Sequence, residues 1–242
     1  MDVLNRILAA IIFITLAASA PQAAAQQVIG TAAVVVNRVT GTFARESRPL
    51  HIGARVRRNE VIETGPRGRS QFIFADETVL DIAPLSKITL DELVFDPGAK
   101  RGNLALTVVE GAFRFISGTL AKENYRVKTP SATIGIRGTV FDLVVENTGA
   151  TTVVLRQGAV TITNLANVSM TVDTPGLAST VQSATTPPTP PAAPPASVTQ
   201  RLAALSSPAT TGAPATPAIA PARSSGPPVP RSLVTESAGD TD

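Results

Sequence analysis

Residues 125–145 read YRVKTPSATIGIRGTVFDLVV, and this stretch decides the fold. Its β-branched and aromatic residues form runs that are interrupted only by Thr129-Pro130 and Arg137-Gly138. Proline cannot donate a hydrogen bond to a β-ladder, and glycine tolerates close backbone approach, so both pairs mark breaks between strands. The stretch therefore predicts short strands joined by tight corners.

The same alternation of apolar and polar residues recurs on both sides of this stretch. Gly, Pro and Asp separate the runs, and no long helical period occurs between residues 28 and 164. Short strands are predicted at residues 33–36, 71–74, 79–82, 87–90, 104–109, 112–116, 125–128, 139–145, 152–156 and 159–163. The domain is therefore expected to be all-β.

A weak repeat favours one all-β architecture. A Gly-Ala step followed by apolar, polar and apolar residues starts at Gly111 and again at Gly158, with a shorter echo at Gly53. Each copy predicts a strand that leaves a tight glycine corner with one side facing inward. Because the spacings are unequal, we expect an irregular β-solenoid or roll, with a β-sandwich as the alternative.

The N-terminal residues have the pattern of an export signal. An apolar run at residues 7–20 precedes Ala23-Ala24-Ala25, which is the small-residue pattern of a signal peptidase site. The run is shorter than the roughly 20 residues that cross a bilayer, so we expect cleavage after Ala25 and no retained transmembrane segment. The chain has no cysteine, hence no disulfide. These features predict export to the periplasm, cell surface or exterior of a Gram-negative bacterium.

Composition divides the exported part. Residues 28–164 form the predicted β domain, and residues 165–176 are expected to be a strand end and linker. Fourteen of the 20 prolines lie in residues 175–230, and no aromatic residue follows Phe141. Because such a segment buries little apolar surface, we expect residues 177–242 to be a disordered tail that acts as a spacer or tether.

Positive charge is modest in the predicted domain, with 17 Lys and Arg against 13 Asp and Glu. The densest group is interpreted either as solvated strand and turn positions or as a contact for an acidic partner or anionic polymer: Arg55, Arg57, Arg58, Arg67 and Arg69. Binding of nucleic acid would require aromatic residues interleaved with these cations, and they are missing. We therefore expect no nucleic-acid partner.

The sequence gives little support for catalysis. A nucleophilic triad needs a base, but the only histidine is His51 and no thiol is present. Two acidic groups could in principle form a glycosidase pair or a calcium site: Asp76, Glu77 and Asp81, and Asp91, Glu92 and Asp96. Neither has a recognised metal-binding pattern, so solvated turns are the better interpretation. We expect no enzyme, metal or cofactor.

The motifs together resemble the FecR domain, the periplasmic module named after the ferric citrate regulator. The resemblance covers residues 31–164 and is strongest at residues 129–141, where Thr-Pro-x-Ala is followed by Arg-Gly-Thr-x-Phe. Residues 61–65, 70–76 and 109–114 resemble the family's threonine corner, the strand before its Asp-Gly turn and its glycine-initiated strand. The departures are Asn59-Glu60 where the family has Gly-Asp, and Asp76-Glu77 where it has Asp-Gly.

The resemblance implies a regulatory module rather than an enzyme. FecR regulators resemble a relay with an anti-sigma segment, a membrane helix and the FecR domain, and we expect the first two to be missing here. The motif residues are expected to be structural or contact residues: Thr129, Pro130, Arg137, Gly138, Thr139 and Phe141. Of these, Phe141 is expected in the core, and Arg137 has the reach to touch a partner.

Three functions remain open from the sequence. The first is a non-enzymatic FecR-domain protein that binds a protein or polymer of the cell envelope or cell surface. The second is a soluble periplasmic sensor in iron- or stress-responsive signalling. The third is an envelope hydrolase that uses the carboxylates.

Overall fold

The structure is a computed structural model that describes residues 27–96, residue 98 and residues 101–206. The predicted signal peptide, residues 1–25, lies outside the described residues, as do residues 207–242 of the predicted tail. The described chain forms sixteen strands, a short 3-10 helix (Lys122–Asn124) and one α-helix: β1 (Val28–Val36), β2 (Val39–Phe43), β3 (Glu46–Pro49), β4 (Arg55–Arg57), β5 (Glu60–Thr64), β6 (Arg69–Phe74), β7 (Val79–Ile82), β8 (Lys87–Asp96), β9 (Arg101–Ile116), β10 (Tyr125–Lys128), β11 (Ala132–Ile136), β12 (Val140–Val145), β13 (Thr151–Gln157), β14 (Val160–Asn164), β15 (Ser169–Val172), β16 (Ala178–Val181) and α1 (Ala196–Ser206). The all-β prediction is confirmed.

The strands form one sheet that folds back on itself into two layers. Layer A has the order β4-β1-β6-β7-β9-β12-β13-β16, and layer B has the order β3-β2-β5-β8-β9-β10-β11-β14-β15. Inward side chains of both layers share one hydrophobic core. Among the described strands the pairing is antiparallel, except that β10 runs parallel to β9. The architecture is an irregular roll. The parallel pairing that is typical of a solenoid occurs, among the described strands, only between β9 and β10.

Strand β9 joins the two layers. Its first part pairs with β8 and β10 in layer B, and the part from Gly111 to Ile116 pairs with β12 in layer A. Gly111 has a φ of 120°, and a Cβ there would collide with Ser86. The sequence predicted two strands separated by a glycine corner, whereas the structure has one strand that changes layer at that glycine.

The period of two explains which side chains enter the core. In β6, Ser70, Phe72 and Phe74 are buried while Ile73 is exposed. Strand β12 is buried on both sides, because Phe141, Leu143 and Val145 face the core while Val144 faces α1.

The glycine corners predicted at Gly53 and Gly158 are confirmed by the backbone. Gly53 and Gly158 both have a φ of 82°, in the left-handed region that glycine adopts without steric cost. Where the chain departs from the family's glycines, other residues take that conformation: Asn59 has a φ of 61° and Glu77 a φ of 68°. Glu77 follows a turn in which its amide donates to Phe74 O over 3.0 Å, as in a three-residue hairpin loop.

The prediction of disorder from residue 177 is wrong over residues 177–206. Strand β16 pairs with β13, and α1 lies on the outer side of layer A with Val198, Leu202 and Leu205 buried. The proline-rich stretch between them runs along the free edge of β16, where the amides of Ala178 and Ala192 each donate to the carbonyl of the other, over 2.7 and 2.9 Å. These few buried apolar side chains and edge hydrogen bonds order the segment, although its low-complexity composition predicts disorder.

The predicted domain boundary at residue 164 is also too early. Strand β15 lies within residues 165–176, which were expected to be a strand end and linker, and its Val172 is fully buried in the common core. The folded unit therefore continues through β16 and α1.

Candidate functional site

The six predicted motif residues lie in two corners and in the core. The Thr129-Pro130 corner precedes β11 and the Arg137-Gly138-Thr139 corner follows it, so the two corners sit at opposite ends of this five-residue strand. Phe141 is fully buried and stacks on Phe115 with ring centroids 5.4 Å apart. The motif is therefore contiguous in sequence but does not form a single surface site.

The first corner is closed by hydroxyl groups. The Thr129 side chain donates to Ala132 O over 3.1 Å and accepts from the Ala132 amide over 3.0 Å. Thr151 donates to the Thr129 hydroxyl over 2.8 Å, and Ser131 donates to Thr151 over 2.8 Å. Pro130 is exposed and packs near Gly149. This corner has a structural role, as its buried threonine satisfies turn backbone groups.

The second corner depends on two glycines. Gly138 has a φ of 69°, and a Cβ on Gly158 would collide with the Gly138 carbonyl. The Thr139 amide donates to Ser117 Oγ over 3.0 Å, and the Ser117 amide donates to Thr139 O over 3.1 Å. The corner is thereby tied to the end of β9.

Arg137 is the exposed cation of this corner. Its backbone amide donates to Ala159 O over 3.2 Å. The Arg137 side chain makes no hydrogen bond or ion pair with the residues that the structure describes. The side chain is therefore exposed, and its contact with a partner stays a prediction.

Beside this corner a row of apolar side chains crosses the outer side of layer A. Backbone pairing places Ile73 opposite Val79, Val79 opposite Ile116, and Ile116 opposite Val140. Ile73 is 43% exposed and the other three are half-buried. We call these four residues the apolar row. Because contiguous exposed apolar patches mark interaction sites, this row is a candidate contact surface.

A charged row runs parallel to the apolar row, one pleat closer to α1. Four members follow the pairing from β6 to β12: Gln71, Asp81, Arg114 and Asp142. Arg156 joins them from the register shift in β13 through its side chain. Asp142 is fully buried and accepts from Arg114 Nε over 2.7 Å and from Arg156 Nη2 over 2.6 Å. Gln71 donates to Asp81 over 2.7 Å.

The electrostatics of the charged row follow from these contacts. The hydrogen bond to Asp142 raises the pKa of Arg114, so this guanidinium stays charged. Burial raises the pKa of Asp81, against the opposing effects of its hydrogen bond from Gln71 and of the Arg114 charge. Two cations thus surround the buried carboxylate, which gives the outer side of layer A a fixed charge pattern next to the apolar row.

A buried hydrogen-bond network holds the loop that follows β9, beside the apolar row. Tyr125 donates from its hydroxyl to Asp76 Oδ2 over 3.0 Å, and the Leu120 amide donates to the same tyrosine oxygen over 3.0 Å. Thr78 also donates to Asp76, over 2.6 Å. Burial raises the pKa of Tyr125 to about 12, so its phenol remains protonated and keeps donating.

The predicted arginine group is divided between two places. Arg57 lies opposite Val28 and Arg69 lies opposite Val36, at the two ends of β1 and roughly 25 Å apart. At the first end Arg55 is exposed, Arg57 covers the Phe43 ring at 5.6 Å, and Arg58 donates to Asp91 O over 3.3 Å.

At the second end Arg67 is exposed, and Arg69 reaches Ala204 O in α1 over 3.5 Å. The five cations therefore form no single patch. Arg48, which the sequence analysis did not single out, adds to the first end through its 2.8 Å ion pair with the buried Glu60.

Four of the six candidate acidic side chains have hydrogen-bond partners, which are Asp76, Asp81, Asp91 and Asp96. Asp76 is fully buried within its network, Asp91 accepts from Thr107 over 2.6 Å, and Asp96 accepts from the Gly98 amide over 2.9 Å. His51 is exposed in a turn. Within the described residues, no three histidine, cysteine or acidic side chains come together as a metal site. Because Asp76 is fully buried, its carboxylate has no access to a substrate.

Sequence analysis missed both rows on layer A. The charged row had a signal, because Asp142, Arg114 and Arg156 interrupt strongly apolar strands and lie at outward positions. The apolar row could be found only once the register had placed its four members side by side. In the described part of the chain, no helix is both long and apolar enough to span a bilayer.

One family model matches part of this chain. The family model described as FecR protein matches residues 60–161. Two crystal structures of a "putative anti-sigma factor" from Parabacteroides distasonis, at 2.50 and 1.65 Å resolution, are each 16% identical to this chain, with TM-scores of 0.43 and 0.42. The alignments cover 53% of this chain and 57% of theirs, so this chain spans little more than half of the length of those proteins. No curated protein matches the sequence.

Proposed function

Because residues 60–161 carry a FecR domain, we propose that this chain is a non-enzymatic protein that binds another protein of the cell envelope through the outer side of layer A. The apolar row carries this proposal. Its four side chains lie in register on adjacent strands, between the charged row and the Arg137 corner. An apolar centre with a charged border is the usual anatomy of a specific protein interface.

The flanking groups give the interface its specificity. Arg137 provides an exposed cation at one end, and Glu77 is exposed in the neighbouring turn. The buried Asp142 holds Arg114 and Arg156 in fixed orientations, so a partner would meet guanidinium groups that are already ordered. Preordered groups lose less conformational entropy on binding.

The test replaces the most exposed member of the row. Ile73→Asp should abolish recovery of the partner by the full chain after cross-linking in the envelope, while the thermal unfolding midpoint stays within a few degrees. Ile52→Asp is the matched control, because Ile52 is 68% exposed and lies in the turn before β4, outside the row. Equal recovery by the two variants would rule out the apolar row as the interface.

Export belongs to the same proposal. The leader-like residues 1–25 support secretion to the periplasm or cell surface, and FecR modules act in envelope signalling. Fractionation of cells that express the full chain should place it outside the cytoplasm with residues 1–25 removed. Retention in the cytoplasm with an intact N-terminus would contradict this part of the proposal.

A role in envelope signalling is the second candidate, and the FecR match favours it. In that case the bound protein is a component of a signalling system, and loss of binding changes transcription. Ile73→Asp should then reproduce the transcriptional profile of a deletion strain, while Ile52→Asp should resemble wild type. If Ile73→Asp loses the partner without any transcriptional change, binding stays the proposed function and the signalling role is rejected.

A further inference from the structure

The outer side of layer B carries a second surface, on the four strands β10, β11, β14 and β15. Its outward residues are two cations, five hydroxyl residues and one glycine: Arg126, Lys128, Thr133, Gly135, Thr161, Thr163, Ser169 and Thr171. We call this surface the hydroxyl face. It is on the opposite layer from the apolar row, so it is independent of the function proposed above.

Backbone pairing arranges these residues in two straight rows. One row runs Lys128, Thr133, Thr163 and Ser169, and the other runs Arg126, Gly135, Thr161 and Thr171. Neighbouring members are therefore about 4.8 Å apart, the spacing of adjacent strands. Thr163 and Ser169 share a hydrogen bond of 2.8 Å, and Thr161 and Thr171 one of 3.4 Å. Each pair keeps one hydroxyl hydrogen and several lone pairs for a ligand.

Gly135 is unexplained by the fold. A Cβ added to it would meet only Thr161 O, at an ordinary 3.8 Å, and its φ is outside the left-handed region. By contrast, a Cβ on Gly30, also within a strand, would come within 2.9 Å of Ile73 O. Glycine weakens the interior of a strand, and a glycine that packing does not require is typical of a place where a ligand approaches the backbone.

The charge on this surface is one-sided. Arg126 and Lys128 are exposed, and neither forms an ion pair with a described residue. The acidic residues that the strand pairing places nearest on the same side of layer B are Asp91 and Glu92 on β8, two strands away from β10. Asp91 is engaged by Thr107 over 2.6 Å, and Glu63, farther away on β5, pairs with Lys87 over 2.6 Å. A ligand on the hydroxyl face would therefore meet two uncompensated cations at one margin.

We propose that the hydroxyl face binds an acidic polysaccharide. Sugar hydroxyls exchange hydrogen bonds with the threonine rows, a carboxylate or phosphate of the polymer pairs with Arg126 and Lys128, and the sugar chain comes closest to the backbone over Gly135. The outward side chains of the face are hydroxyl groups and cations, whereas peptides are anchored through apolar side chains in apolar pockets, which favours a sugar chain over an acidic protein segment.

The test uses a substitution that the fold accepts. In the full chain, Gly135→Val adds a β-branched side chain where space exists, so the thermal unfolding midpoint should stay or rise. The same variant should weaken binding at least tenfold in affinity electrophoresis through polygalacturonate and in pelleting with peptidoglycan sacculi. Arg126→Gln with Lys128→Gln should weaken binding by a similar factor, whereas Arg55→Gln, which removes an exposed cation on β4 in layer A, should not.

Three outcomes would overturn the proposal. One is the absence of binding to both polygalacturonate and sacculi. Another is equal retardation by poly-glutamate, which would indicate unspecific charge attraction, and neutral dextran serves as the control without charge. The last is unchanged affinity in a folded Gly135→Val variant, which would show that the ligand does not approach this face.

Discussion

The guanidinium of Arg114 donates two hydrogen bonds to the carboxylate of Asp142, over 2.7 and 3.1 Å. The two residues lie opposite each other on β9 and β12, and Arg156 reaches the same carboxylate from β13. Asp142 is fully buried although its neighbours in β12 are apolar. A charge in that position is stable only with such partners, because isolated burial of a carboxylate is very costly.

Removing this carboxylate should be strongly destabilising. Asp142→Asn leaves two guanidinium groups side by side, and we expect the free energy of unfolding to fall by about 3 kcal/mol, as for other buried ion pairs that lose one partner. Arg156→Gln is the control: its side chain is 44% exposed, so its loss should cost about 1 kcal/mol or less. Urea unfolding at neutral pH gives both numbers. Equal losses would mean that the buried carboxylate is not the centre of the group.

The two motif threonines should respond differently to loss of the hydroxyl. Thr129 is held by hydrogen bonds to Ala132 and Thr151, so Thr129→Val should cost about 1 to 3 kcal/mol. The Thr139 hydroxyl is buried without a partner among the described residues. Thr139→Val should therefore be neutral or stabilising. Urea unfolding of the two variants side by side checks this contrast, and a larger loss for Thr139→Val would contradict the assigned contacts.

Stability at high pH should depend on Tyr125. Its pKa is about 12 in the folded chain because burial disfavours the phenolate, against about 10 in an unfolded chain. The folded state thus keeps its proton where the unfolded state loses it, so this contribution is complete below pH about 10 and is lost as the pH rises to about 12.

The comparison with Tyr125→Phe isolates this contribution. The variant loses the hydrogen bonds to Asp76 and Leu120 and should be about 1 to 3 kcal/mol less stable at neutral pH. The difference from wild type should shrink between pH about 10 and about 12, as measured by urea unfolding. Parallel pH profiles for the two proteins would show that Tyr125 does not titrate with this shift.

Helix α1 should detach without unfolding the roll. Leu202 is 3% exposed and packs on the small side chains of layer A, so Leu202→Asp should raise amide hydrogen exchange in residues 196–206 by at least tenfold. Strands β9 and β12 beneath the helix should keep their protection. Gln200→Asp, on the exposed side of the helix, is the control and should leave exchange unchanged. Loss of protection throughout the sheet would show that the helix is essential to the fold.

The strands were predictable from local sequence because apolar and polar residues alternate wherever one side of a strand is buried. The runs around Phe72, Phe113 and Ile162 all became strands with those residues in the core. The glycine corners were also predictable, since a positive φ at Gly53 or Gly158 is a local requirement. Phe141 was correctly expected in the core for the same reason.

Long-range arrangement was not predictable in the same way. The arginines of β4 and β6 are close in sequence, but β1 separates Arg57 from Arg69 along its whole length. The segment after residue 177 has the composition of a disordered tail, and only the partners supplied by β13 and layer A show why Val181 and Leu202 are buried. The pairing of distant strands decides which side chains become neighbours, and the residues within one strand do not show which strand it will pair with.

Strand β9 has a consequence for how the molecule assembles. Its sixteen residues supply a central partner in each layer, to β8 and β10 on one side and to β7 and β12 on the other. Neither half can complete its ladder before this segment is in place, so the body should acquire and lose its structure in one cooperative step. Cleavage near Gly111 would therefore dismantle both halves at once instead of releasing an intact fragment.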